Sequence, residues 1–233
     1  MCTVTIIPKG GSDFILTSNR DEAPNRVALA PEFYNIHHAK MLFPKDKKAG
    51  GTWVGLSDKN RLICLLNGGF ERHKRKESYR ISRGIVLTDL LASEKIDVAI
   101  DEYNLIGVEP FTLVIADWNS TLKFYEFVWD GEVKHFSDLP LEPRIWSSSP
   151  LYTKEMKQER YRWFEELKKG KKLSAERVLE FHKNTQSNNT EYGVIIDRGF
   201  VKTTSVTQVE KKKDVVSMRF ENLLEPHITE TTF

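Results

Sequence analysis

Cysteine is scarce in this chain: Cys2 and Cys64 are the two among 233 residues. That excludes a scaffold stapled by several disulfides, and a single Cys2–Cys64 bridge is the most that could form. With no Cys-x-x-Cys pair and no Cys/His cluster, a structural zinc site is not expected. Net charge is nearly absent too. Lys and Arg number 35 against 33 for Asp and Glu, and the resulting +2 gives no reason to expect a nucleic-acid partner. The two basic runs, Arg72-His73-Lys74-Arg75-Lys76 and Lys211-Lys212-Lys213, lack adjacent stacking aromatics and read as solvated loops. No apolar run approaches the length of a membrane span, and no apolar signal region follows the start. The expectation is a soluble, cytoplasmic protein in a reducing compartment. Gly50-Gly51 and Gly68-Gly69 lack both the Lys-Ser/Thr of a phosphate loop and the GxGxxG spacing, so no nucleotide site is expected. Repeats, low-complexity tracts and linkers are missing as well, which makes residues 1–233 a single expected domain.

What is present begins at the start of the chain. Cys2 follows Met1, and the alternating Thr3-Val4-Thr5-Ile6-Ile7 behind it is a strand signal. Methionine aminopeptidase removes an initiator Met that precedes a small residue. Cys2 would then carry a thiol and a free α-amine on one residue. An α-amine has an ordinary pKa of about 8 and a thiol of about 8.5, so the amine can serve as general base for its own side chain. The bland reading of Cys2 is a small apolar residue at a strand start.

Strand patterns fill the first third. Residues 2–7 and 14–19 flank the turn-rich 8–13, and 52–56 and 61–66 flank 57–60, which gives two hairpins. Residues 24–48 show no sustained period and read as a loop with short extended pieces. Helices are expected at about 82–91 and 93–103, the second with Ser93 as its N-cap, then strands at 111–116, 122–129 and 132–136, with a short extended piece at 144–147. The clearest helix starts near Thr153 and ends at Gly170, with Met156, Arg160, Trp163, Phe164 and Leu167 at helical spacing. Another runs from Ser174 to about Lys183, and strands at 192–196, 201–209 and 215–220 close the chain. Strands, helices, strands, helices, strands is not the βα alternation of a parallel doubly wound fold. It suits an α+β protein of two antiparallel sheets covered by helices.

Met1-Cys2-Thr3, Asn19-Arg20-Asp21-Glu22, the run Gly50 to Gly55 (GGTWVG) and Leu65-Leu66-Asn67-Gly68-Gly69 follow one another in an order that resembles the NRDE family, the transport and Golgi organisation protein family. That family in turn looks like the N-terminal-nucleophile (Ntn) hydrolases of the penicillin acylase and bile salt hydrolase branch. The resemblance implies a four-layer αββα sandwich and a Cys nucleophile, Cys2, acting on the amide bond of a small acyl conjugate. It also implies that Asp21 holds the Cys amine, and that Asn67 supplies an oxyanion-hole amide. Two positions depart from the branch. Ser18 stands where it has an Arg, the nearest Arg being Arg20, and Ser148 stands where it has a second Asn. Residues 20 and 21 point to opposite faces of a strand, so Arg20 and Asp21 can both address Cys2 only if the strand ends or bulges there. Apart from the resemblance, Asn67-Gly68-Gly69 reads as a turn and Asp21 as a strand-terminal cap.

A second reading, also implied by the family, is a non-catalytic binding or trafficking protein that handles haem, with Cys2, His37, His38 or His73 as axial ligand. On the first reading no cofactor and no metal are expected, since these histidines have no carboxylates at metal spacing. Arg198 and Arg219 are late arginines whose simplest reading is exposed strand or turn.

Overall fold

The computed structural model describes residues 3–170 and 172–233; Cys2 lies outside them. In chain order the elements begin with β1 (Thr3–Gly10), β2 (Asp13–Glu22), β3 (Ala28–Ile36), β4 (Ala39–Asp46), β5 (Val54–Ser57) and β6 (Arg61–Asn67). Helices α1 (Arg83–Ala92) and α2 (Ile96–Glu102) follow, then β7 (Phe111–Asp117), β8 (Lys123–Trp129), β9 (Lys134–Leu139) and β10 (Arg144–Ser147). The rest is α3 (Lys154–Lys168), α4 (Ala175–Asn184), β11 (Lys202–Lys212), β12 (Val215–Asn222) and β13 (His227–Thr232).

The chain forms two compact units, one from Met1–Ala28 with Glu142–Phe233 and one from Leu29–Leu141. The first holds a six-stranded sheet of order β10-β1-β2-β11-β12-β13 with α3 and α4. β1 and β2 are rich in β-branched residues and buried on both faces. Ile7 and Ile15 meet Phe164 of α3, Val178 and Phe181 of α4, and Val194 in one apolar cluster, while Val4, Ile6 and Leu16 are equally buried on the alternate face.

The second unit holds a seven-stranded sheet of order β3-β4-β5-β6-β7-β8-β9, with α1 and α2. Val86, Leu87, Leu90 and Leu91 of α1 pack onto Phe43, Ile63, Leu65 and Leu113. Each such burial removes a side chain from water and stabilises by roughly 1.5–3 kcal/mol. A Cβ on Gly84 would come within 2.8 Å of the Thr52 carbonyl oxygen, so glycine there lets the first turn of α1 settle on the Thr52 backbone. The N-cap expected at Ser93 is not one: Ser93 closes α1 as its C-cap, and α2 starts after Lys95 without a side-chain cap. The helices expected to start at about Ser82, Thr153 and Ser174 do begin there, and all three residues are N-caps. Their hydroxyls accept from the backbone N–H of Ile85, Met156 and Arg177.

Two stretches differ from the sequence reading. Residues 24–48 are not a loop but contain β3 and β4, joined through His37 and His38 at φ 51° and 62°. A two-residue hairpin turn of type I′ needs positive φ at both central positions, which Asn-Gly advertises and His-His does not. Residues 192–196 are not a strand. The carbonyls of Tyr192 and Gly193 are taken by the Arg160 side chain and that of Val194 by Asn19, so these three need no neighbouring strand; Ile196 alone is tied to β11, through the Thr203 amide. The third closing strand is instead β13, paired with β12 from Ser217–Thr232 to Asn222–His227.

Candidate functional site

The end of β2 carries Asn19-Arg20-Asp21-Glu22, and each of the four has a different task. Thr3 of β1 pairs in register with Asn19. On the other side, Asp21 pairs with Thr203 and Arg20 with Ser205, so Thr204 is an extra residue bulged out of β11. The irregularity thus lies in β11 and not in β2, where a bulge would have been needed for Arg20 and Asp21 both to address Cys2. Arg20 pins it: one guanidinium nitrogen donates to Thr204 Oγ1 at 3.1 Å and to the Arg26 carbonyl at 3.0 Å, while the Thr204 hydroxyl donates to the Arg20 carbonyl.

Asp21 is 2% exposed. Its Oδ1 accepts from the Thr203 hydroxyl and its Oδ2 from the Tyr152 hydroxyl, each at 2.6 Å. Charge-assisted bonds of this length fix a carboxylate firmly. Tyr152 is itself buried, with the Arg160 guanidinium 3.6 Å from its ring centroid and that of Arg198 at 5.4 Å.

Arg160 is fully buried on the inner face of α3. Among the described residues no carboxylate forms an ion pair with it. It donates to Thr3 Oγ1, to the Gly193 carbonyl and, at 3.0 Å, to the Tyr192 carbonyl. A cation so placed ties the beginning of β1 to the helix layer and lends positive potential to it. Its apolar-stripe position among Met156, Phe164 and Leu167 was the signal in the sequence: an Arg there must find buried partners.

Asn19 sits on the same face as Asp21 and binds a second buried group. Its Nδ2 donates to the carbonyls of His182, at 3.0 Å, and Val194, at 2.8 Å, so its Oδ1 is the atom facing His182 Nδ1 at 2.6 Å. Nδ1 must therefore carry the imidazole proton, and Nε2 accepts from the Thr5 hydroxyl at 2.8 Å. Burial, with the charge of Arg160 added, pushes the His182 pKa down to about 3, so the ring is neutral at ordinary pH.

Glu22 accepts from the Ala23 amide and pairs with Arg26 at 3.6 Å. Its carboxyl is held below the usual range. Burial works against this and is outweighed by nearby positive charge and the Ala23 amide.

The remaining sequence candidates lie elsewhere. Ser148, just past β10, is buried, and its hydroxyl has no partner among the described residues. Its carbonyl accepts from the Tyr152 amide at 3.2 Å. Ser18 is buried and its hydroxyl is likewise unpartnered among the described residues, as are those of Ser205 and Thr207, the residues paired with Arg20 and Ser18 on β11. Asn67 belongs to the second unit. It ends β6 opposite Phe111, and its side-chain amide makes no hydrogen bond to another described residue. The next residue, Gly68, turns the chain at φ +83°, and a Cβ on Gly69 would lie 3.1 Å from Asp130 Cα. The turn reading is thus correct for the backbone and leaves the Asn67 amide available. Cys64 is buried on β6 between Val54 and Val114. His37 pairs with Asp89 at 3.0 Å and His73 with Glu109 at 3.3 Å. No three His, Cys, Asp or Glu side chains among the described residues gather as a metal site. None of the described helices is long and apolar enough to cross a membrane. Tyr152, Thr203 and His182 were not singled out from the sequence.

Solved structures show the class of fold. A variant of the conjugated bile acid hydrolase from Clostridium perfringens matches at TM-score 0.56 and 10% identity, covering 99% of this chain and 92% of that one. Penicillin V acylase from Agrobacterium tumefaciens matches at TM-score 0.56 and 11% identity, over 99% and 85%. The N-acylethanolamine-hydrolysing acid amidase orthologue of Caenorhabditis elegans matches at 0.58 and 11%, over 89% and 92%. The chain has the fold of these Ntn hydrolases, the α+β sandwich class of two antiparallel sheets expected from its sequence. The chain belongs to the family Transport and Golgi organisation 2, whose model matches residues 1–228. It is 32% identical over 90 residues to the Transport and Golgi organization 2 homolog of Mus musculus, covering 38% of this chain and 32% of that protein. With the Bos taurus homolog it shares 35% over 63 residues, 26% of this chain and 23% of that protein. The matched stretch thus spans about a third or less of the length of these relatives.

Proposed function

We propose that this chain is a cysteine Ntn hydrolase that cleaves a small amide or related acyl substrate. The observation that carries the reading is Asp21. A carboxylate buried at the end of the strand paired with β1, and held by two hydroxyls at 2.6 Å, is built to orient a cation beside it. In the proposed reaction Met1 is removed and Cys2 becomes the terminal residue. Its α-amine takes the thiol proton, and the thiolate attacks the substrate carbonyl. The amine returns the proton to the leaving nitrogen as the C–N bond breaks, and water then hydrolyses the thioester. Asp21 orients the α-amine. The Asn67 amide and a neighbouring backbone N–H take the oxyanion, with the Ser148 hydroxyl in the place of a second donor. Arg20 holds the β11 bulge beside Asp21, and the unneutralised Arg160 charge near Thr3 favours a thiolate.

The test has two parts. Intact mass of the purified protein is expected to show loss of Met1, with one thiol-directed electrophile adding at Cys2. Turnover of a panel of amides and thioesters is expected to vanish in Cys2→Ala. Retention of Met1 by the active protein would remove the amine-as-base mechanism.

Ser18 and Ser148, which replace the Arg and Asn that the resemblance implies, favour a second reading: a binding protein that has kept the fold without the chemistry, with haem as the ligand the family suggests. Titration of wild type and Cys2→Ala with haemin decides it. A flat absorbance difference in both ends that reading.

A further inference from the structure

A cleft of about 530 Å³ runs along α3 where its outer face meets β10. It lies within the first unit. Ile145 and Trp146 line it from β10, and Lys154, Lys157, Tyr161 and Arg162 line it from α3. The helix residues recur at three-, four- and eight-residue spacing, so they form one stripe, while Arg160 and Phe164 occupy the buried side.

The charge on this stripe is one-sided. Lys157 and Arg162 form no ion pair with any described carboxylate. Among the described residues, Lys154 has only its chain neighbour Glu155 at Coulomb range. Lys157 is half-buried and spends one donor on the Ser149 hydroxyl at 2.8 Å, which leaves two of its three N–H groups unmatched among the described residues. Burial also holds the Lys157 pKa below its usual value, and an anion beside it would offset that cost of burying the charge. Toward the end of the same helix the cations are matched: Lys168 with Glu165, Lys169 just past its end with Glu166.

The geometry points to a binding site for a small anionic amphiphile: a carboxylate or phosphate head on Lys157 with Arg162 and Lys154, and an apolar body against Ile145, Trp146 and the Tyr161 ring. A few convergent polar groups over an apolar wall are what ligand pockets of this size present. A purely electrostatic patch would have no such wall. A purely apolar groove would not collect three cations with no carboxylate in its lining; the nearby Glu165, bonded to the Tyr161 hydroxyl, is taken up by Lys168. The cleft also lies beside the start of β1, since Ser147 pairs with Thr3. The binding test needs no turnover, so its result is independent of whether Cys2 reacts.

Calorimetric titration of the full chain with decanoate, decyl phosphate, 1-decanol and inorganic phosphate tests the site. Both decyl anions are expected to bind at one site at least tenfold more tightly than decanol, and inorganic phosphate alone not to bind. Lys157→Gln with Arg162→Gln is expected to weaken the preferred anion at least tenfold with an unchanged thermal transition. Should Lys157 prove needed for folding, Lys154→Glu with Arg162→Glu, both at exposed positions, is expected to do the same. Preference between decanoate and decyl phosphate identifies the head group. Equal binding of decanol, equal binding of inorganic phosphate, no binding at all, or unchanged affinity in both double variants would overturn the proposal.

Discussion

The Tyr152 hydroxyl donates to Asp21 Oδ2 at 2.6 Å, joining the start of the α3 segment to the end of β2 across 131 positions of sequence. Tyr152 also lies face-on to Arg160, which holds Thr3. One aromatic side chain thereby connects the candidate carboxylate, the buried cation and the beginning of β1.

Tyr152→Phe keeps the ring and removes the donor. The buried carboxylate then loses one of its two hydroxyl partners, and unfolding free energy is expected to fall by about 1–3 kcal/mol. Chemical denaturation of the two proteins measures it. A change within about 0.5 kcal/mol, the range of a surface substitution, would mean that Asp21 takes its order from elsewhere.

Arg160→Met should cost more, about 3–5 kcal/mol, because the carbonyls of Tyr192 and Gly193 and the Thr3 hydroxyl lose a shared donor inside the fold. Arg160→Lys is not expected to restore it, since an ammonium cannot reach three acceptors in a planar fork while stacking on a ring. The same denaturation series compares the three proteins.

His182 gives a pH dependence with a definite sign. Its folded pKa is about 3, against about 6.5 in an unfolded chain. Between those values the unfolded chain binds the additional proton, so this group lowers stability as pH falls through that window, by up to about 1.4 kcal/mol per pH unit. Above the window it has no effect. His182→Gln should flatten the acid limb of the stability profile. Ring NMR of the native protein at pH 5 should show a neutral imidazole protonated on Nδ1; a charged ring there would contradict the assignment.

On the proposed reaction, Asn67→Ala is expected to lower kcat for an amide substrate about 10²–10³-fold with little change in KM, the usual loss for one oxyanion donor. Ser148→Asn, which supplies the amide that the resemblance implies, is expected to raise kcat. Unchanged turnover in Asn67→Ala would leave Asn67 with the turn alone.

We further propose that residues 1–233 unfold as one cooperative domain. The tryptophans report on both units: Trp146 and Trp163 lie in the first, and Trp53, Trp118 and Trp129 in the second. Coincident loss of fluorescence from variants that keep only one set or the other is the expected result. Separate midpoints would divide the chain into two domains.

Local chemistry made much of the fold legible. The apolar spacing of α3 announced that helix, and the alternation in β1, β2, β5 and β6 announced the hairpins; Ser93 misled, because a serine that ends one helix looks in sequence like one that starts the next. The β3–β4 hairpin was hidden by an unusual His37-His38 turn. Residues 192–196 looked like a strand because apolar alternation does not say whether a backbone will be satisfied by a neighbour or by side chains. Within the site, the four polar residues closing β2 were visible as a group. Their separate tasks were not, because Tyr152, Thr203, Thr204 and His182 reach them only through pairing across 131 to 184 positions. Arg160 was half visible, as a charge out of place in an apolar stripe.

The first unit is finished only after the whole of the second has been made. A ribosome releases β1 and β2 before their outer partners, so Asp21 waits 182 positions for Thr203, and β1 waits for β10. Until then the nascent hairpin offers two open edges to any strand that passes, a known invitation to mispairing. Newly synthesised chains should therefore depend on a holdase while the intervening Leu29–Leu141 unit emerges. Nonsense mutations that remove β11 should yield insoluble aggregates rather than a smaller working protein.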